Sequence, residues 1–147
     1  MKILIINGAN MNMLGVREPE KYGDMTLLDL EKELHAFSFE LGINIETFQS
    51  NFEGEIIGKI HSSLVEFDGI VINAGAFTHT SLAIADAITS VSKPTIEVHM
   101  TNIYKREEFR HKSFIAPVSL AQISGFGVNG YKLALRGLVE HLDCKNK

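Results

Sequence analysis

Residues 69–99 read GIVINAGAFTHTSLAIADAITSVSKPTIEVH. Residues 69–73 (GIVIN) are a short apolar run, the pattern of a strand buried on both faces. Residues 81–91 have the composition of a helix that must end before Pro94, because the ring disfavours helical backbone in the residue ahead of it. Residues 95–99 (TIEVH) return to an extended, β-branched pattern. A strand, a helix and a second strand in so short a span predict a parallel pair joined by a crossover helix.

The same unit recurs outward from this stretch. Residues 3–6 (ILII) predict a first strand. Thr26 and Asp29 stand three apart, as in a capping box, ahead of Leu27, Leu30, Leu34, Phe37 and Leu41 at helical spacing, and Gly42 supplies the stop. Residues 43–48 alternate as a second strand. Ser50 or Asn51 is placed to cap a helix carrying Ile56, Ile57, Ile60, Leu64, Val65 and Phe67. Residues 118–124 form a weaker fifth strand and residues 131–142 a closing amphipathic helix. The order β-α-β-α-β-α-β-loop-β-α predicts an α/β domain over residues 1–147, with a five-stranded parallel sheet in the flavodoxin-like order 2-1-3-4-5 and helices on both faces.

Composition narrows the function classes. The 147 residues are 45% hydrophobic and 22% charged with net charge −4, which suits a globular domain and disfavours a nucleic-acid partner. Cys144 is the single cysteine, so no disulfide or cysteine metal site forms within the chain. The first apolar run is too short for a secretion signal, and no stretch approaches the roughly 18 apolar residues of a membrane helix. The expectation is a cytoplasmic protein with no membrane partner.

In parallel sheets of this kind, ligands bind beyond the carboxyl ends of the strands. Three polar segments fall there: NGANMNMLGVREPEKYG (7–23), NAGAFTHTS (73–81) and HMTNIYKREEFR (99–110). The first is far longer than the usual connection of about 2–6 residues, which marks it as a binding loop or lid. His99 closes strand four with Glu97 two residues earlier on the same strand face, an arrangement suited to acid–base chemistry. Arg106 and Arg110, four apart, predict a shared helix face and a clamp for carboxylate or phosphate. Tyr22 can serve as a base only if its pKa falls from about 10 towards 7, at about 4 kcal/mol, which Arg17 and Arg106 could supply.

Other chemistries fit poorly. Gly125, Gly127 and Gly130 match G-x-G-x-x-G, but no strand and no acidic residue follow at the spacing that dinucleotide binding requires, so a tight turn near the crevice is expected. No P-loop pattern occurs. Strand three ends in Asn73 rather than a phospho-accepting aspartate, and the first loop lacks a hydroxyl-rich phosphate cradle for flavin. His35, His61, His111 and His141 are scattered on expected helix surfaces or loops, and His79 and His99 lack a third ligand, so no metal is expected.

Taken together, NGANMNMLGVREPEKYG, QSNFEGEII, INAGAFTHTSLAIADAI, IEVHMTN, REEFRHKS and ISGFGVNGYKLAL resemble type II 3-dehydroquinate dehydratase over nearly the whole chain. The resemblance implies a cofactor-free and metal-free lyase, assembled as a dodecamer of four trimers. It would convert 3-dehydroquinate to 3-dehydroshikimate, the third step of the shikimate pathway. It implies that Tyr22 is the ionised base and that Arg17 lowers its pKa. Asn10 would position a water on the enolate oxygen, and His99, oriented by Glu97, would protonate the leaving hydroxyl. Asn73, His79 and Arg110 match contacts to substrate hydroxyls and ring, and Arg106 the second arginine near the tyrosine. Met100 and Thr101 match the amides that hold the substrate carboxylate. Asp86 matches a residue that reaches the neighbouring subunit's site. Four positions depart from the family pattern or vary within it. Ala9 replaces a proline, Phe77 a tyrosine and Thr101 a serine, and Met100 stands where Ile or Leu is common; no proposed catalytic group is lost. The alternative is a non-catalytic small-molecule binder on the same fold, which would not need Tyr22 and His99 together.

Overall fold

The computed structural model describes residues 1–16, 20 and 24–145. Five strands, β1 (Lys2–Asn7), β2 (Asn44–Gln49), β3 (Gly69–Asn73), β4 (Thr95–His99) and β5 (Ala121–Ser124), form one sheet in the order β2-β1-β3-β4-β5. All four pairings are parallel. The α-helices among the described residues are α1 (Leu27–Glu40), α2 (Glu53–Glu66), α3 (Leu82–Val91) and α4 (Val128–Lys145). Sheet order and strand direction are those the sequence predicts. No helix among the described residues is long and apolar enough to cross a membrane.

Two cores follow from the two-residue period of the strands. Ile3, Ile5, Val71, Ile96 and Val98 meet Leu30, Leu34, Tyr131 and Leu135 from α1 and α4. On the opposite face Leu4, Ile6, Ile70 and Ile72 meet Ile56, Ile60, Ile84 and Ile88 from α2 and α3. The same alternation sends the side chains of Asn7 and Asn73 towards the α1/α4 side. It sends Glu97 and His99 towards the α2/α3 side.

The capping box at Thr26 and Asp29 forms, with Asp29 N–H donating to Thr26 Oγ1 and Thr26 N–H to the Asp29 carboxylate. Three local expectations need correction. The N-cap of α2 is Phe52, not Ser50 or Asn51; Ser50 works one step earlier, accepting from Phe52 N–H at 2.9 Å and donating to Glu55. Leu64 and Val65 lie on the solvent side of α2, 58% and 89% exposed, because Ile56, Ile60 and Ser63 define its buried stripe. Arg106 and Arg110 do not share a helix: each ends a separate single turn, Ile103–Lys105 and Glu108–Arg110, with extended backbone at Arg106 and Glu107 between them.

The ends of β1 and β3 are pressed together. Gly8 N–H donates to the Asn73 carbonyl at 2.7 Å. A Cβ on Gly8 would lie 2.2 Å from the Ala74 carbonyl oxygen, and one on Gly75 2.6 Å from that of Ala9. Glycine at both positions lets the two strand-end loops touch backbone to backbone, which sets the floor of the crevice.

Candidate active site

The crevice lies at the carboxyl ends of β1, β3 and β4. It is lined by Asn10, Met11 and Leu14 from the first loop, by Asn73, Gly75 and His79 after β3, and by His99, Met100, Thr101, Arg106 and Arg110 after β4. The structure therefore brings together eight of the twelve candidate side chains on its surface. Glu97 sits directly behind them. Asp86 lies on the exposed side of α3, away from its own chain's crevice. Arg17 and Tyr22 lie outside the described residues.

His99 is the centre of the charge arrangement. Its Nε2 is 2.8 Å from Glu97 Oε1, and both side chains are buried. Glu97 also accepts from Thr78 Oγ1 at 2.6 Å, from Ser113 Oγ at 2.9 and 3.0 Å, and from Gln122 Nε2 at 2.7 Å. Burial pushes the Glu97 carboxyl up, but the His99 hydrogen bond and charge, together with the Thr78 and Gln122 donors, more than offset it. It stays below its ordinary 4.5 and ionised. With Nε2–H given to Glu97, Nδ1 is the ring nitrogen a ligand can meet. His79 stacks on His99 with ring centroids 6.3 Å apart. Its Nδ1 faces the Lys112 carbonyl at 2.7 Å; a carbonyl only accepts, so the proton sits on Nδ1 and Nε2 is left as the second polar atom.

Asn10 adopts a left-handed backbone, φ 68°, which asparagine tolerates better than most residues. Its N–H donates to Asn51 Oδ1 at 2.8 Å, and the turn closes with Met13 N–H on the Asn10 carbonyl. The turn is thus held without the proline that Ala9 replaces. Phe77 is half-buried against the α2/α3 core.

Asn73 is more constrained than the sequence indicates. Its Nδ2 donates to Tyr131 Oη at 2.9 Å and points at Met11 Sδ, while its Oδ1 accepts from Gly75 N–H. With the amide nitrogen turned inward, Oδ1 is the atom that can meet a ligand, and Asn73 acts as an acceptor for a hydroxyl.

The glycine-rich segment finds its use here. Gly125 N–H binds the His99 carbonyl at 3.1 Å, Gly127 N–H binds the Met100 carbonyl at 2.9 Å, and Ser124 Oγ donates to the Thr101 carbonyl. Because a trans peptide points its N–H opposite to its C=O, the Met100 and Thr101 amides are turned away from that glycine turn. Gly125 and Gly127 both have positive φ, as the expected tight turn requires. On the far side, Arg110 Nε donates to Glu107 at 2.9 Å and Arg106 Nε lies 3.8 Å from the same carboxylate. Both guanidiniums line the crevice, where their forked donors suit an anionic group. His111, expected on a helix surface or loop, is half-buried with Nε2 3.0 Å from the Arg106 carbonyl, and so ties down this segment.

Comparison with known proteins agrees with this fold. The family model described as Dehydroquinase class II matches residues 1–139. The chain belongs to that family. It is 53% identical to a 3-dehydroquinate dehydratase of Prochlorococcus marinus, across 99% of both sequences. It is 55% identical to a 3-dehydroquinate dehydratase of Endomicrobium trichonymphae, across 94% of this chain and 96% of the other. The crystal structure of a type II dehydroquinase from Butyrivibrio crossotus superposes with a TM-score of 0.93 at 48% identity, covering 95% of this chain and 97% of that one. For a class II dehydroquinase, the residues that sequence reasoning missed are those behind the crevice: Thr78, Ser113 and Gln122 around Glu97, and Asn7 and Tyr131 behind Asn73. They are 16 to 25 positions from Glu97, or 58 and 124 positions apart through Tyr131, and no local pattern links them.

Proposed function

We propose that this class II dehydroquinase dehydrates 3-dehydroquinate to 3-dehydroshikimate by a trans elimination through an enolate, with Tyr22 as base and His99 as acid. The observation that carries the reading is the buried His99–Glu97 pair facing Arg106 and Arg110 across one crevice, in a chain of this family. Removing a proton next to a ketone builds charge on oxygen. It needs a base, a partner for that oxygen and an acid for the departing hydroxyl.

His99 can supply the acid only as an imidazolium, since its Nε2–H is committed to Glu97 and the proton must leave from Nδ1. The ionised Glu97 carboxylate 2.8 Å away holds the ring so that Nδ1 faces the crevice. Asn10 holds a water against the enolate oxygen. Arg106, Arg110 and the Met100–Thr101 amides take the substrate carboxylate and ring. Asn73 Oδ1 and His79 take its hydroxyls. The chain has three tyrosines. Tyr131 is fully buried and hydrogen-bonded to Asn7 and Asn73; burial pushes its phenol far up, against a small opposing effect of Asn73, so it stays neutral. Tyr104 is 57% exposed and does not line the crevice. Both facts support Tyr22 as the phenolate, lowered by Arg17 and Arg106. No step in this scheme calls for a cofactor or metal. The further expectation is a cytoplasmic dodecamer of four trimers, formed from one domain over residues 1–147, with Asp86 completing a neighbour's site.

The test is absorbance in the enone band after 3-dehydroquinate is added to chelator-treated protein. A rise is expected with the wild type, and none with Tyr22→Phe of unchanged fold. Near-normal turnover by Tyr22→Phe would remove the base assignment; no rise with the wild type would remove the reaction.

A further inference from the structure

Three consecutive residues on the arginine-bearing segment are stitched to the histidine side of the crevice. The Lys112 carbonyl accepts from His79 Nδ1, and Phe114 N–H donates to the Thr78 carbonyl at 2.9 Å. Between them, Ser113 Oγ donates to Glu97, placed 2.9 and 3.0 Å from its two oxygens. The same hydroxyl oxygen accepts from Ile115 N–H at 3.0 Å and Ala116 N–H at 2.9 Å. One side chain thus closes the turn that ends the segment and grips the carboxylate that orients His99.

We propose that Ser113 is a positioning residue that registers the segment carrying Arg106 and Arg110 against the His99–Glu97 pair. This rests on the proposed reaction for its kinetic consequences. Arg110 lies three residues from Ser113, and Arg106 is held by His111 on the same stretch. A hydroxyl that fixes residue 113 therefore fixes both guanidiniums relative to the imidazole. The Thr78 and Gln122 side chains bind the same carboxylate but from β3's following turn and from β5, so these side chains bear on Glu97 alone; Thr78 meets the arginine segment only through its backbone carbonyl, which a side-chain substitution leaves in place.

The two effects separate experimentally. Losing the Ser113 donor destabilises the Glu97 carboxylate, so its protonation moves to higher pH, and loosens the arginines, so substrate binds less tightly. Losing the Thr78 donor does only the first. Other charged or titratable groups around the pair, among the described residues, are His79 stacked on His99, Arg106 and Arg110 across the crevice, Glu107 on Arg110, and Tyr104 through Gln122. None is removed by these substitutions.

The experiment compares wild type, Ser113→Ala, Ser113→Thr and Thr78→Val with 3-dehydroquinate as a function of pH. Ser113→Ala is expected to raise KM roughly tenfold, the size of one lost hydrogen bond to a charged group, and to move the acid limb of kcat up by about half a pH unit or more. Ser113→Thr should restore both. Thr78→Val should move the acid limb with KM within about twofold of wild type. Nitrogen-labelled histidine NMR of His99 reads the Glu97 protonation step without turnover, so it tests Ser113 even if the proposed reaction fails. If Ser113→Ala does not fold, Ser113→Cys keeps the volume with a weak donor and takes its place. Wild-type KM and an unmoved His99 inflection in the Ser113 variant overturn the inference, as does a Thr78→Val enzyme with the same KM rise.

Discussion

At the scale of single residues, Glu97 shows how a buried charge is kept. It is fully buried, yet its oxygens meet hydroxyl, amide and imidazole donors. Glu97→Gln would replace an acceptor by a group with two N–H donors facing other donors, and would remove the anion that orients His99. Turnover is expected to fall by about 10²–10⁴, the range for loss of general acid catalysis. The pH dependence of stability follows from the depressed Glu97 pKa. Below its folded pKa both states are protonated and the carboxylate contributes nothing. Above the unfolded value near 4.5 the contribution is complete. Wild type should therefore exceed Glu97→Gln in urea midpoint at pH 7, with the gap shrinking as pH falls through 4.5 and below. A gap independent of pH would mean that packing, not ionisation, sets the difference.

At the scale of elements, the signals that were legible are the local ones. Ser81 caps α3 by accepting from Ile84 N–H at 2.9 Å, and it is buried. Ser81→Ala should cost about 1–2 kcal/mol in denaturant unfolding, the upper half of the usual N-cap range because no water reaches the orphaned amide. A loss under a few tenths would show that α3 is held by its Ile84 and Ile88 packing alone. The Thr26 capping box, the stop at Gly42 and the strands of residues 69–73 and 95–99 were readable for the same reason: each depends on neighbours in sequence. Arg106 and Arg110 were not. Their four-residue spacing matches a helix, but Arg106 ends one turn in extended backbone, and the stretch is shaped by His111, Ser113 and Glu107 contacts instead. Likewise residues 118–120 were read into β5, yet the strand begins at Ala121, after a turn over Ala116–Val118. The chemistry-bearing residues could be named because strand ends mark the crevice. The carboxylate cradle could not, since Thr78, Ser113 and Gln122 reach Glu97 only once four separate segments fold together.

At the scale of the whole molecule, one phenol joins the last helix to the first and third strands. Tyr131 on α4 donates to Asn7 Oδ1 at 2.6 Å and accepts from Asn73 Nδ2 at 2.9 Å, across 124 and 58 positions of sequence. Its hydroxyl is fully buried, and Asn7 Nδ2 is already without a hydrogen-bond partner among the described residues. Tyr131→Phe keeps the packed ring but strands an acceptor on Asn7 and a donor on Asn73. With about 1–3 kcal/mol for each buried group left unsatisfied, the expected loss is roughly 2–4 kcal/mol in the urea-unfolding free energy. Adding Asn7→Leu removes one of the two stranded groups and should recover part of that loss. The same change frees the Asn73 amide to rotate, so its nitrogen competes with its oxygen for the crevice and KM for 3-dehydroquinate should rise in Tyr131→Phe while the pH dependence of kcat stays put. That separates this network from the Glu97 cradle on the other face of the sheet, where the acid limb moves. A Tyr131→Phe protein as stable as wild type, or one whose acid limb shifts, would show that the two faces of the crevice are not held independently.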